Sequence, residues 1–100
     1  MSISERYTYM ASVMKALAHP TRLFIIDELE KNERNVSELT EMVGIDISTI
    51  SRHLAILKQT GIIGATKKNN QMIYRLLCPC VLDMYKCVLK IKEHKENNES

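Results

Sequence analysis

Two short amphipathic stretches with almost nothing between them constrain this 100-residue sequence more than any other feature. In NVSELTEMVGI, residues 35–45, Asn35 or Ser37 can cap a helix whose apolar face is Leu39, Met42 and Val43, and Gly44 is placed to end it. In DISTISRHLAILKQTG, residues 46–61, Asp46 or Ser48 can cap a second helix with Ile50, Leu54 and Leu57 facing inward and Gly61 at its end. Two short helices joined by a glycine-containing turn predict a helix-turn-helix.

The flanks extend that unit. Met10, Val13, Met14 and Leu17 give the stretch Ser4 to Ala18 a helical apolar face. In HPTRLFIIDELEKNE, Pro20 suits a first helical turn, and Leu23, Ile25, Ile26 and Leu29 form the buried stripe of a second helix. After Gly61 the period changes. Ile62 to Thr66 and Met72 to Leu77 read as strands around Lys67-Lys68-Asn69-Asn70, a hairpin with a polar, basic tip. Pro79 marks the start of a last helix carrying Val81, Leu82, Met84, Tyr85, Val88, Leu89 and Ile91. The expected fold is therefore α+β and mostly helical: a winged helix-turn-helix of four helices, a hairpin wing and a fifth helix. It forms one domain over residues 1–96, and residues 97–100 are expected to fray.

A chain this short buries a modest core, so apolar faces left over after folding are most simply covered by a second copy, and a homodimer is expected. The N-terminus MSISERYTYMAS lacks the basic start and apolar run of a signal peptide, and no stretch approaches the ~18–20 apolar residues of a membrane span. A cytoplasmic protein without a membrane partner is expected. There, three clustered cysteines argue for metal binding, thiol chemistry or packing rather than a disulfide framework. The net charge of +2 does not by itself imply nucleic acid.

Local pattern does point to DNA. The polar face of the second helix of the pair presents Ser48, Thr49, Ser51, Arg52 and His53 where a recognition helix meets base edges and phosphates. Arg52 can read guanine bidentately, while the hydroxyls and the helix N-terminus suit phosphates. Lys58, Lys67 and Lys68 add backbone contacts from the helix end and the hairpin. Double-stranded operator DNA is the expected partner. No Ser/His/Asp arrangement, glycine-rich phosphate loop or paired carboxylates in an apolar pocket supports an enzyme.

The segments LAHPTRLFIIDEL, SRHLAILKQTGII and MIYRL also resemble the ArsR/SmtB repressors, which carry a similar A-x-P-T-R-L-x-I-L, S-x-H-L-x-x-L-x-x-x-G-L-V and Y-x-L pattern in the same order. The likeness spans residues 8–77. It implies a dimeric winged-helix repressor that leaves operator DNA when an inducer binds, with its first and fifth helices as the dimer interface. Soft-metal sensors of that family often carry a cysteine pair where this chain has Asn35 and Ser37 in RNVSEL, so that site is absent. A second family site pairs carboxylate and histidine ligands across the two last helices, in a pattern like D-x-H with H-x-x-H. Here Asp83 is followed by Tyr85, Glu96 and Glu99 come later, and His94 is out of step.

That leaves Cys78, Cys80 and Cys87. Thiolates select soft ions, and three suit a trigonal site for As(III) or Sb(III), with Cu(I), Cd(II) or Zn(II) as alternatives. Some arsenic-responsive members of the family place a cysteine cluster in this C-terminal region. Cys80 and Cys87, if both helical, stand about 10 Å apart along the axis, so one regular helix cannot close the site. Either Cys78-Pro79-Cys80 folds back toward Cys87, or the partner subunit supplies the third thiol. The same cysteines also fit a redox or persulfide switch, and Cys87 alone fits a small buried core residue. His19 reads as a helix cap or surface residue, His53 as a phosphate contact or a packing residue rather than a metal ligand, and the six methionines as packing.

Overall fold

The structure, a computed structural model, describes residues 2–98. α1 (Ile3–Leu17) opens on a capping box in which the Ser2 hydroxyl accepts from the Glu5 N–H at 3.1 Å and the Glu5 carboxylate accepts from the Ser2 N–H. α2 (Pro20–Lys31) begins with proline in its first turn, and His19 caps it, its Nδ1 accepting from the Thr21 N–H at 3.1 Å. The buried Glu28 carboxylate accepts from Lys31 at 2.9 Å and faces Arg34 at 3.6 Å, which ties the next segment to this helix.

That segment is a two-residue strand, β1 (Arg34–Asn35), which sequence pattern did not reveal. Asn35 then caps α3 (Val36–Val43) in a second capping box with Glu38. Gly44 ends α3 in the left-handed region at φ 80°, a conformation a side chain would strain. α4 (Ile47–Thr60) starts one turn later from Asp46 and stops at Gly61, again left-handed at φ 85°. β2 (Ile63–Lys68) and β3 (Gln71–Leu76) form the wing, paired antiparallel from Ile63–Leu76 to Lys68–Gln71. Asn69 and Asn70, both at positive φ, make its two-residue turn. β1 adds to the other edge of β3, giving the order β1-β3-β2.

The chain leaves the wing through Leu77 and Cys78, whose N–H groups both donate to the Ile62 carbonyl, at 2.8 and 3.3 Å. A single 3-10 turn, Pro79–Val81, leads into α5 (Leu82–Asn98). The helix runs two residues into the stretch expected to fray, while Glu99 and Ser100 lie outside the described residues.

The core is built around α4. Ile50, Leu54 and Leu57 are completely buried against Ile25, Ile26, Leu39 and Ile63. Each such side chain contributes about 1.5–3 kcal/mol relative to exposure. α5 joins this core only through its first turns: Leu82 is buried, and the Tyr85 hydroxyl donates to the Leu23 carbonyl at 2.7 Å. Burial, then the Asp27 charge, push the Tyr85 phenol up to about 12, so it remains a donor. Beyond it the helix stands clear, with Val88, Leu89 and Ile91 58–67% exposed. Tyr7, Tyr9, Met10 and Met14 leave a matching apolar face on α1. Among the described residues, no helix is long and apolar enough to cross a membrane.

Candidate functional site

α4 owes its orientation to its inner stripe. With Ile50, Leu54 and Leu57 fixed in the core, helical spacing turns Ser48, Ser51, Arg52, Ala55, Lys58 and Gln59 outward, and all six are exposed. At the start of the helix the Asp46 carboxylate accepts from the Thr49 N–H at 3.0 Å, the Ser48 hydroxyl at 2.6 Å and the Thr49 hydroxyl at 2.7 Å. These hydroxyl donors, then the backbone N–H, hold the Asp46 carboxyl well below the usual carboxylate range. Ser48 and Thr49 thus spend their protons on the cap and keep only lone pairs for an outside donor. Ser51 and Arg52 make no side-chain hydrogen bond among the described residues and stand as the free polar pair. Lys67 and Lys68 lie on the outer end of β2, beside the asparagine turn rather than in it, and Lys68 faces Glu33 at 4.0 Å across exposed surface.

His53, expected on the exposed face, is corrected by the structure. It is only 8% exposed, because position 53 falls three residues after Ile50 and one before Leu54, inside the buried stripe. Its ring packs against His19 with centroids 4.4 Å apart, and its Nδ1 accepts from Arg22 Nε at 3.0 Å. Arg22 Nη1 also donates to the Ala16 carbonyl at 2.9 Å. Burial first, then the charges of His19, Arg22 and Arg52, lower the His53 pKa, and the neutral ring is the form that can accept from arginine. Sequence reading missed Arg22 altogether. The available signal was that HPTR and SRH each hold a polar residue at a position their helices turn inward.

The three cysteines are not gathered in one subunit. The 3-10 turn at Pro79 brings the Cys78 and Cys80 sulfurs to 3.0 Å, so the segment closes on itself rather than folding back to Cys87. The Cys78 sulfur pushes the Cys80 thiol up, first by hydrogen bonding and then by charge. Cys87 lies about two turns further along α5. It is exposed rather than packed in the core, on a stripe with Met84, Val88 and Ile91. Among the described residues, no three ligating side chains converge on one point.

Residues 19–64, from the His19 cap to the start of the wing, match the model of the bacterial regulatory protein, arsR family. Over 86 residues the chain is 33% identical to the uncharacterized HTH-type transcriptional regulator Rv0081 of Mycobacterium tuberculosis, covering 85% of this chain and 75% of that one. The chain belongs to the arsR family. That membership makes it a transcriptional regulator and not an enzyme. The arsR-family fold extends through the whole architecture. The crystal structure of Rv0081 superposes with a TM-score of 0.79 at 30% identity, covering 92% of this chain and 93% of that one. The solution structure of the homodimeric winged helix-turn-helix DNA-binding domain of Mb0332 from Mycobacterium bovis gives 0.79 at 29% identity, covering 100% and 95%. The transcriptional repressor BigR from Xylella fastidiosa gives 0.74 at 29% identity, covering 91% and 96%.

Proposed function

We propose that this arsR-family chain is a cytoplasmic repressor that binds a palindromic operator as a homodimer through the exposed face of α4. The observation that carries the reading is the fixed outward presentation of Ser51 and Arg52, flanked by Lys58 and by Lys67 and Lys68 on the wing. Arg52 reads a base edge, and Ser51 and the lysines hold phosphates. Ser48 and Thr49 contribute through the shape of the helix start, because the Asp46 carboxylate there repels phosphate and takes their protons. Dimerisation pairs the apolar faces of α1 and α5, and sets two recognition helices about 34 Å apart for successive major grooves. The homodimeric Mb0332 domain supports that assembly.

The switch sits at Cys78 and Cys80. Their 3.0 Å separation, beside the proposed dimer face, favours a two-sulfur site over a three-thiolate one within a subunit. Binding of As(III), Sb(III) or another soft ion there, or oxidation of the pair, releases DNA by favouring a subunit arrangement that no longer matches the operator. A full trigonal site, or one for Cd(II) or Zn(II), needs Cys87 from the partner subunit. A 100-fold loss of DNA affinity corresponds to about 2.7 kcal/mol of coupling per dimer.

The test is fluorescence anisotropy of the reduced protein on a labelled fragment of its own promoter. Binding that falls steeply with salt, and that Arg52→Ala and Ser51→Ala each weaken without unfolding the protein, is the expected result. Arg52→Ala binding as tightly as the parent at moderate salt refutes the recognition-helix assignment. Cys80→Ser still released by the same inducer removes that thiol from the switch.

A further inference from the structure

Between α1 and the second half of α4 lies an open cleft of about 550 Å³, a volume usual for small-molecule sites. Tyr9, Ser12 and Lys15 line it from α1, Ile56 and Gln59 from α4, and Arg22 reaches it from α2. The cleft thus adjoins the joint of the three helices. Arg22 directs Nε to His53 and Nη1 to the Ala16 carbonyl, while its Nη2 makes no hydrogen bond among the described residues. Lys15 is exposed and makes no ion pair among them. Among the described residues, no carboxylate and neither thiol of the cysteine pair lines the cleft.

Charge narrows the occupant. α1 ends at Leu17 and α4 at Thr60, so the cleft lies beside two helix C-termini, each equivalent to about half a negative charge. Against them stand the two full positive charges of Lys15 and Arg22, which leaves a surplus of about one positive unit. A monoanion matches that surplus, a cation is repelled, and a dianion overshoots it. The hydroxyls are already committed: Ser12 donates to the Tyr9 carbonyl and Thr60 to the Leu57 carbonyl, both at 2.6 Å. The donors left for an anion are Lys15 Nζ, Arg22 Nη2 and the Gln59 amide. Val13, Ile56 and the Tyr9 ring form an apolar wall beside them, which a bare inorganic ion leaves uncovered.

We infer that this cleft is an effector site for a small aromatic monocarboxylate. The carboxylate accepts from Arg22 Nη2 and Lys15 Nζ, and the ring lies against Tyr9, Val13 and Ile56. Such a ligand bridges α1 to α4 and touches the one side chain that already fastens both to α2. It therefore favours one setting of α4 against α1, and operator affinity changes by as much as the ligand distinguishes the two settings. Tyr9 also belongs to the apolar α1 face proposed for the partner subunit, so occupancy is met at the dimer as well. The effect on DNA rests on the reading of α4 as the recognition helix, whereas the ligand site stands without it.

The experiment titrates the full chain with phenylacetate by calorimetry in the absence of DNA. Phenylacetamide, phenethylamine, phenyl phosphate and acetate are titrated in parallel, and operator affinity is read by anisotropy. The expected result is one phenylacetate per chain, bound at least about tenfold more tightly than each of the other four. Lys15→Gln weakens it about tenfold, while Lys92→Gln, the same loss of charge on exposed α5, leaves it within about twofold of the parent. Saturating phenylacetate changes operator affinity by about fivefold or more in the parent and not in Lys15→Gln. No binding, equal binding of any of the other four compounds, or an equal loss in Lys92→Gln overturns the site. Selective binding that leaves operator affinity unchanged refutes the effector role. Selective binding by a chain that holds no operator DNA supports the site while refuting the reading of α4.

Discussion

Replacing Arg22 with methionine tests how α1 and α2 are fastened to α4. The guanidinium donates to His53 Nδ1 at 3.0 Å and to the Ala16 carbonyl at 2.9 Å, so one side chain joins α1, α2 and α4. Methionine keeps the apolar stem and donates nothing, leaving a buried imidazole nitrogen and a carbonyl of buried Ala16 without partners. A hydrogen bond from a charged donor contributes about 1.5–3 kcal/mol, so the pair sets an upper bound of about 3–6 kcal/mol. Arg22 is only half-buried, and water that enters recovers part of this. The expected loss is about 2–3 kcal/mol, or roughly 10–20 °C in Tm for a domain of this size. Urea midpoints measured at one fixed protein concentration give the number, since dimer stability depends on concentration. Arg22→Met combined with His53→Leu should show a coupling of about 1–2 kcal/mol. A loss below about 0.5 kcal/mol, or strict additivity with His53→Leu, refutes the reasoning.

Three further outcomes are expected. His53 binds a proton less readily folded than unfolded, so its contribution to stability is complete above the ordinary value of 6.5 and is lost as pH falls from there toward the lowered folded value. Urea midpoints should drop across that window in the parent and drop less in His53→Leu; parallel curves exclude His53 as the source. Lys67→Ala and Lys68→Ala should each reduce the slope of log DNA affinity against log salt by about one, and an unchanged slope places the wing away from phosphate. Ile91→Glu puts a charge on the exposed apolar face of α5, and sedimentation velocity should show monomers where the parent is a dimer; an intact dimer moves the interface elsewhere.

The helix-turn-helix was legible because its signals are local. Asp46 and Gly61 bracket α4, Ile50, Leu54 and Leu57 repeat at helical spacing, and adjacent Asn69 and Asn70 fit a tight turn. β1 was not, since Arg34 and Asn35 carry no alternation of their own and become a strand only by pairing with Tyr74 and Ile73. His53 misled because its residue type outweighed its position: residues 50, 53, 54 and 57 form one stripe, but a histidine inside it is permitted only once Arg22 supplies a donor from another helix. The cysteines divide in the same way. Spacing placed Cys78 and Cys80 together, whereas the 3.0 Å approach of their sulfurs depends on the 3-10 geometry at Pro79, and the exposure of Cys87 depends on how little of α5 the core reaches.

The carbonyl of Ile62 gives the wing exit a second meaning. It lies one residue past Gly61, which ends α4, and it accepts the backbone N–H of Cys78 at 3.3 Å. A chemical event on the Cys78 side chain is therefore one backbone hydrogen bond from the end of α4, the proposed recognition helix. No relay through the core is required for it to be felt there. If Cys78 is the proposed switch, the same proximity makes sensing and reading hard to alter separately, because a change of backbone at residue 78 pulls on the base of the wing and the tail of α4 together.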